Sequence, residues 1–319
     1  MITLTTTPLH LHYGVKIHDL QLADIDLHNG YPEVRSKFEE ESVLYFPDQQ
    51  IDDTTHLRVC SFFGPREDRS ASNSSPDPLV STLSNVNDDG GVYGTNESQV
   101  LSLRSNMHWH TDSTFMPIPA LTNMLIARVV PASGTATQFV STRIAWREMP
   151  DALKARARGC AFRHHYAHSR QKTDREFAQS KTFWQWEAQT WKSIWTNPVN
   201  QQEALYIASH VFDVVGMEQH SGHALVEELL DWCTQDRFIY EHQWQPGDVL
   251  LWDERATLHR GIPWNYDEPR TLTSVCVSAT TADGLDEIRV HDAVSDATYS
   301  LPPFDSSTKP ADRRSGSVS

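Results

Sequence analysis

The chain lacks long apolar runs and an excess of basic residues. No apolar segment approaches the roughly 20 residues that cross a bilayer, and Met1 to Gly14 contains no basic stretch followed by an apolar run, so we expect neither a membrane anchor nor a signal peptide. Lysine and arginine number 27 against 42 acidic residues, a formal net charge of −15. This balance argues against binding to nucleic acid and against binding to anionic membranes.

Paired cysteines are also missing. The cysteines are Cys60, Cys160, Cys233 and Cys276, and none forms a C-x-x-C motif, which excludes a zinc knuckle and a thioredoxin-like redox motif. Scattered thiols in a chain of 319 residues are typical of a reducing compartment, so we expect a cytoplasmic protein. The hydrophobic content of 39% and ten tryptophans indicate a folded globular protein with a substantial core.

Short β-prone runs separated by turn residues, with a few helical segments, dominate the pattern. The predicted strands include Ser42–Phe46, two strands within 120–142, and Phe238–Trp244, Val249–Trp252 and Thr271–Ala279. The predicted helices are Pro32–Glu41, Asp53–Phe63, Ile144–Arg158 and Gly222–Thr234. The tryptophan-rich segment Asp174–Gln201 is predicted to be irregular and to form a lid or pocket wall. We expect a β-rich α+β protein with a double-stranded β-helix (jelly-roll) core and flanking helices.

One short segment of the sequence suggests a metal site. Met107–Ser113 is predicted to be a strand, on which His110 and Asp112, two residues apart, would lie on the same face. A third ligand from a distant strand, His259, would complete a triangle around one ion. Two histidines and a carboxylate with open positions opposite form the facial triad of non-haem Fe(II) oxygenases.

These residues resemble a known family. Trp109–Phe115, Gly134–Thr137, and Trp252 to His259 followed by Arg270 are similar to motifs of the taurine/2,4-dichlorophenoxyacetate dioxygenase (TauD/TfdA) family. The resemblance extends from about Tyr13 to Ala279 and is strongest to members that cleave aryloxyalkanoates. It implies a single dioxygenase domain at 1–285 and a C-terminal extension at 286–319 with a flexible end.

The resemblance also implies a cofactor set and ligand positions. The cofactors would be Fe(II), the cosubstrate 2-oxoglutarate and O2, with His110, Asp112 and His259 as iron ligands. Arg270 would pair with the distal carboxylate of 2-oxoglutarate, a role suited to the arginine fork. Thr137 would hold the same carboxylate, and Asn106 would lie near substrate and cosubstrate.

The sequence departs from the family pattern at two positions. The usual Gly-Gly-Asp-Thr is here Gly134-Thr135-Ala136-Thr137, and some members carry a second arginine, which binds the substrate's anionic group, where this chain has Ser274. The anchor for an anionic substrate must then lie elsewhere. The candidates for substrate contact are Arg104, His108, Arg163, His164, His165, Arg170, His210 and Ser274 itself. The stretch from Arg163 to His168 is predicted to be a basic strand, either solvated or facing the pocket.

The resulting prediction is a dioxygenase that oxidises an unactivated C–H bond of a small, anionic organic molecule and releases succinate and CO2. Hydroxylation at a carbon bearing oxygen would also explain ether cleavage. The alternatives are a jelly-roll metal-dependent hydrolase or isomerase with the same His/Asp/His site, and a non-enzymatic binding module that kept the fold. The resemblance further implies a homo-oligomer, either a dimer or a tetramer.

Overall fold

The structure is a computed structural model that describes residues 2–67, 79–290 and 299–300. Its strands are β1 (Thr5–Pro8), β2 (Val15–His18), β3 (Val43–Phe46), β4 (Ser81–Ser84), β5 (Ala120–Val129), β6 (Ala136–Ser141), β7 (Ala161–His164), β8 (Gln189–Lys192), β9 (Ile194–Thr196), β10 (Glu203–Leu205), β11 (Val211–Val214), β12 (Ile239–Gln243), β13 (Val249–Asp253), β14 (Thr257–Gly261) and β15 (Thr271–Ser278). Its α-helices are α1 (Tyr31–Glu41), α2 (Asp53–Ser61), α3 (Ser98–Ser105), α4 (Thr142–Glu148), α5 (Asp151–Ala157), α6 (Tyr166–Gln171), α7 (Gln219–Cys233) and α8 (Leu285–Ile288).

Two sheets form the jelly-roll core. The larger has the strand order β1-β2-β3-β13-β5-β15-β4, and the smaller has the order β12-β6-β14. Most neighbouring strands are antiparallel, with β13 between β3 and β5 and with β6 between β12 and β14. The predicted jelly roll with flanking helices is therefore confirmed.

The core lies between the sheets and continues beneath the larger one. Phe139 of β6 packs edge-to-face on Trp252 of β13, with ring centroids 5.2 Å apart, and Leu258 of β14 joins the same cluster. On the other face of the larger sheet, alternate residues such as Leu251 pack with Phe38 of α1. This alternation follows from the two-residue period of a strand.

One predicted helix is divided in two. Ile144–Arg158 was expected to be continuous, but α4 ends at Glu148 and α5 begins at Asp151. Pro150 lies between them as the residue before α5, where its missing N–H and its effect on the preceding residue interrupt the helix. Gly159, at φ 84°, follows α5 in the left-handed region, as expected for a residue that ends a helix.

The segment Asp174–Gln201 is more ordered than predicted. It contains the short 3₁₀ helices Phe177–Gln179 and Lys181–Trp184 and the strands β8 and β9. Trp191 and Trp195 are almost fully buried, so both belong to the core and not to a lid.

Packed residues extend past the predicted domain boundary at 285. Ile288 of α8 is buried in the core, and Tyr299 packs with Ala167 and Phe183. Residues 291–298 and 301–319 of the predicted extension, with its predicted flexible end, lie outside the described residues, as do residues 68–78. Within the described part of the chain, no helix is long and apolar enough to cross a membrane.

Candidate metal centre and substrate cavity

His110, Asp112 and His259 converge at the mouth of the sheets. His110 Nε2 lies 3.6 Å from Asp112 Oδ1, and His259 Nε2 lies 3.9 Å from Asp112 Oδ2. One ligand atom from each residue falls within 4.8 Å of the others, and of the described residues only these three form such a group. Donors at right angles around an ion with bonds of about 2.1 Å would be separated by about 3 Å, so the three groups fit a single divalent metal after small side-chain adjustments.

The backbone around the centre differs from the predicted strand. His110 forms an isolated antiparallel bridge with His259, in which each backbone N–H donates to the other's carbonyl at 3.0 and 2.8 Å. The chain then turns, and Ser113 has a φ of 59°. Asp112 therefore approaches His110 through a turn, and the prediction that Met107–Ser113 is a strand is wrong.

Neighbouring groups hold two of the candidate ligands in position. His110 Nδ1 lies 2.7 Å from the carbonyl oxygen of His108, which leaves Nε2 for a metal. Asp112 Oδ2 accepts a 2.7 Å hydrogen bond from the Asn123 amide, and Asn123 Oδ1 in turn accepts one from the Ser274 hydroxyl. Glu254 accepts from the Asp112 backbone N–H. Neither Asn123 nor the link to Ser274 was predicted from the sequence.

Trp252 packs against the candidate metal centre. Its ring centroid lies 4.7 Å from that of His259, and its side chain is fully buried. The apolar floor limits the orientations open to the His259 imidazole. The Trp252 ring also reduces the access of water to His259 from the side of the core.

Arg270 lies at the start of β15 with its side chain buried. Its Nε donates to Thr135 Oγ1 at 3.1 Å, its backbone N–H donates to Asn85 Oδ1, and its guanidinium carbon lies 4.5 Å from the centre of the Trp264 ring. Burial lowers the pKa of Arg270 to about 10, so the guanidinium is still charged at neutral pH. Thr137 lines the same cavity, but its hydroxyl accepts from Trp244 Nε1. The sequence reasoning did not identify Thr135 as the contact of Arg270.

The triad and Arg270 line one cavity of about 520 Å³, within the usual range for small-molecule sites. Of the other predicted residues, Asn106, Arg170, His210 and Ser274 also line it. Aromatic rings form part of the wall. Phe115 and Tyr166 stack at 3.8 Å with an interplanar angle of 4°, and Phe183 meets Tyr166 edge-on.

The remaining candidates for substrate contact point elsewhere. Arg104 is exposed on α3, and His108 hydrogen-bonds to Thr173 Oγ1 at 3.2 Å. Arg163 on β7 forms an ion pair with Asp213 at 2.8 Å. None of these three is part of the cavity lining.

The predicted basic strand ends earlier than expected, and its histidines are buried. β7 stops at His164, and α6 begins at Tyr166 with His165 as its N-cap, whose Nδ1 accepts from the Ala167 N–H. Burial lowers the pKa of His164 to about 3 and that of His165 to about 4, so both are neutral at pH 7 and neither is an anion anchor. Tyr166 and Arg170 are four residues apart, and this helical spacing is the sequence signal for α6 that the strand prediction overlooked.

The fold and this donor set define a class of protein, a jelly-roll enzyme with the two-histidine, one-carboxylate facial site of non-haem Fe(II) oxygenases. Residues 5–276 match the model of the family described as taurine catabolism dioxygenase TauD, TfdA family, and the chain belongs to this family. The resemblance inferred from the motifs is confirmed.

Similar proteins support the enzyme class. The chain is 30% identical to an (S)-phenoxypropionate/alpha-ketoglutarate-dioxygenase of Sphingobium herbicidovorans, over 83% of this chain and 91% of that protein. It is also 30% identical to an alpha-ketoglutarate-dependent 2,4-dichlorophenoxyacetate dioxygenase of Cupriavidus pinatubonensis, over 88% and 99% of the two chains. The crystal structure of AAD-2 in complex with Mn(II) and N-oxalylglycine superposes with a TM-score of 0.82 at 28% identity, covering 88% of this chain and 99% of AAD-2. The chain is a 2-oxoglutarate-dependent dioxygenase that requires Fe(II) and O2, as predicted.

Proposed function

We propose that this dioxygenase acts on a small aromatic carboxylic acid of the aryloxyalkanoate type. The observation that carries the proposal is a single cavity in which the His110/Asp112/His259 triad, two buried guanidinium groups and a stacked aromatic wall occur together. The printed activities of the 30%-identical relatives, on phenoxypropionate and 2,4-dichlorophenoxyacetate, support the same substrate class.

In this proposal the ligand roles are divided among three groups. His110, Asp112 and His259 hold Fe(II), which with 2-oxoglutarate and O2 supplies the oxidising chemistry when bound. Arg270 binds the distal carboxylate of 2-oxoglutarate, because its fork can donate two parallel charge-assisted hydrogen bonds. Thr135 orients that guanidinium through its 3.1 Å contact, and Thr137 lines the cosubstrate end of the cavity.

The remaining wall positions and shields the substrate. Phe115 and Tyr166 offer a flat apolar surface to an aryl ring, and His210 lies with its ring centroid 4.9 Å from Phe115. Asn106 joins the cavity from the end of α3. These apolar rings reduce the access of water to the reacting carbon and favour coupling of cosubstrate consumption to substrate oxidation.

The product follows from where the hydroxyl group is inserted. With phenoxyacetate, one oxygen atom of O2 enters the C–H bond next to the ether oxygen, and the other enters succinate as 2-oxoglutarate loses CO2. The hydroxylated carbon then carries two oxygens, so the hemiacetal collapses to phenol and glyoxylate. This is the balanced route by which hydroxylation becomes ether cleavage.

The test is a substrate panel with Fe(II) and 2-oxoglutarate. We expect phenoxyacetate to release phenol and succinate in equal amounts, whereas an alkyl sulfonate and an N-acyl amino acid release far less succinate. His110→Ala and omission of iron should each abolish turnover. Succinate release with the sulfonate but not with the aryloxy acid would refute the proposed substrate class, and the absence of iron-dependent succinate with all three would refute the proposed reaction on these substrates.

The proposal includes a cytoplasmic enzyme that binds neither nucleic acid nor membranes, which the net charge of −15 supports. A dimer or tetramer stays a prediction from the family resemblance. Light scattering of the purified protein would determine the mass of the particle.

A further inference from the structure

Arg170 is the second guanidinium in the cavity wall. It lies on α6, and its side chain is 7% exposed. Nη1 donates to Asn106 Oδ1 at 3.3 Å and Nη2 donates to Tyr166 OH at 3.1 Å. The guanidinium also lies over the Tyr166 ring, 4.5 Å from its centre. All of these partners are electrically neutral.

No carboxylate balances this charge within the described part of the chain. Neither Arg170 nor Arg270 has an Asp or Glu oxygen within the 4.0 Å that defines an ion pair. A buried charge without a counter-ion carries a desolvation cost that neutral hydrogen bonds only partly offset. Two buried cations in a strongly acidic protein are therefore left for anions that enter the cavity.

The two guanidinium groups belong to different parts of the wall. Arg270 immediately precedes β15 and contacts Thr135 and Trp264, whereas Arg170 lies on α6 beside the aromatic stack of Tyr166 and Phe115. Asn106, bonded to Arg170, has its backbone carbonyl bonded to the N–H of Gly261, two residues after His259. Arg170, which lies beside the aromatic stack, is thus connected through Asn106 to β14, the strand that carries the candidate metal ligand His259.

Ser274 does not provide a further cation in the cavity wall. It lines the cavity, but its hydroxyl donates to Asn123 Oδ1 at 2.8 Å, and it carries no charge. His210 is buried, and its Nδ1 lies 3.1 Å from Thr114 Oγ1, so this ring nitrogen already has a partner within the protein. Arg170 is consequently the cation left to neutralise a second anion among the described residues of the wall.

We propose that Arg170 anchors the carboxylate of the primary substrate, with Asn106 and Tyr166 holding the guanidinium in place and the Phe115–Tyr166 stack receiving the aryl ring. This assignment rests on the proposed function, since it presumes an aromatic acid in the same cavity. It moves the anion anchor from the sheet position now occupied by Ser274 to a helix.

The experiment measures binding in place of turnover. Phenoxyacetate and its uncharged amide, phenoxyacetamide, are titrated calorimetrically, without O2, into enzyme loaded with Mn(II) and 2-oxoglutarate. We expect Arg170→Gln to weaken phenoxyacetate binding about 10- to 100-fold, the loss of one charge-assisted pair, and to change phenoxyacetamide binding less than about threefold. Arg170→Lys, which keeps the charge but loses the fork, should fall between Arg170→Gln and wild type.

Two controls separate charge recognition from folding. Arg156→Gln removes a surface arginine that pairs with Glu228 and should bind both probes as wild type does. Every variant is also titrated with 2-oxoglutarate, whose affinity should be unchanged in Arg170→Gln.

Several results would overturn the assignment. These are equal losses of acid and amide binding, a fall in 2-oxoglutarate affinity in Arg170→Gln, or a wild-type enzyme that shows no preference for the acid. A wild type that binds phenoxyacetate through Arg170 but releases no succinate would contradict the proposed function while supporting the anchor.

Discussion

Two groups of buried arginines in this molecule differ in whether carboxylates lie next to the guanidinium groups. In the structural group, Arg255 bonds to Asp253 at 2.8 Å and to Glu39 at 2.6 Å, and Arg143 bonds to Asp253 at 3.1 Å. In the cavity group, the hydrogen bonds of the Arg170 and Arg270 guanidinium groups to described residues go to neutral side chains. Carboxylates of the chain neutralise the first group, and we propose that bound anions neutralise the second.

The pKa values follow this difference. Burial alone would lower the pKa of Arg255, but attraction to Asp253 raises it above its ordinary value. Burial lowers the pKa of Arg270 to about 10 with no carboxylate to oppose it. Arg143, with one carboxylate contact, is intermediate, since burial lowers its pKa although Asp253 raises it. Side chains of the same type and similar burial thus form ion pairs in one place, whereas in the other we propose that they bind ligands.

The largest expected effect comes from breaking the structural group. Arg255→Gln would leave Asp253 and Glu39 buried with less compensation, so we expect the free energy of unfolding to fall by about 3–5 kcal/mol. Urea unfolding followed by circular dichroism measures this. The surface variant Arg156→Gln should change it by no more than about 0.5 kcal/mol, and an Arg255→Gln loss of that small size would show that the two groups do not differ.

The converse experiment is made at Arg270. Arg270→Gln removes a buried charge that no carboxylate of the described residues pairs, so the ligand-free protein should lose less than about 1 kcal/mol of stability. Binding of 2-oxoglutarate should weaken by about 1.5–3 kcal/mol, roughly 10- to 150-fold. Calorimetric titration with Mn(II) present tests this. Normal affinity together with a large loss of stability would place Arg270 in the structural group.

His164 extends the comparison to a buried titratable group that is neutral at pH 7, and its expected effect on stability is smaller. His164 is fully buried, neither ring nitrogen has a hydrogen-bond partner in the described structure, and burial lowers its pKa to about 3. Below its unfolded pKa of about 6.5 the unfolded chain binds a proton that the folded chain does not, so stability is lost as pH falls. Between pH 7 and pH 5 this should amount to about 1–2 kcal/mol.

His164→Phe tests this assignment. The variant should lose less stability between pH 7 and pH 5 than wild type does, by the same 1–2 kcal/mol. Urea unfolding at both pH values gives the difference. Parallel stability curves for the two proteins would show that His164 does not contribute to the acid sensitivity.

The sequence allowed the chemistry to be predicted better than the local backbone. The motifs around His110, His259 and Arg270 identified the family, and these residues do line one cavity. Asp112 was predicted to lie on a strand, but it lies in a turn that still brings its carboxylate close to His110. The prediction failed because the i, i+2 spacing of a strand is only one of the geometries that bring a histidine and a carboxylate together. Asn123 and Thr135 were missed because their roles depend on contacts between distant strands, which no local pattern records.

The errors in the fold have similar causes. The apolar periodicity of residues 144–158 outweighed Pro150 in the prediction, although proline stops the helix there. The segment that contains Trp191 and Trp195 was predicted to be irregular, whereas the structure pairs it into strands and buries both rings in the core. Arg170 could be singled out only once α6 was known, because its neutral surroundings cannot be deduced from the sequence.

The helix α6 spans only Tyr166–Gln171 and lies between β7 and the 3₁₀ turn at Phe177. The triad, by contrast, depends on the bridge between His110 and His259 and on β14. With Arg170 as the proposed substrate anchor, selectivity and oxidative capacity would reside in separate elements of the fold. A laboratory evolving this enzyme toward new acids can diversify six consecutive codons, 166–171, while leaving the iron-binding framework intact.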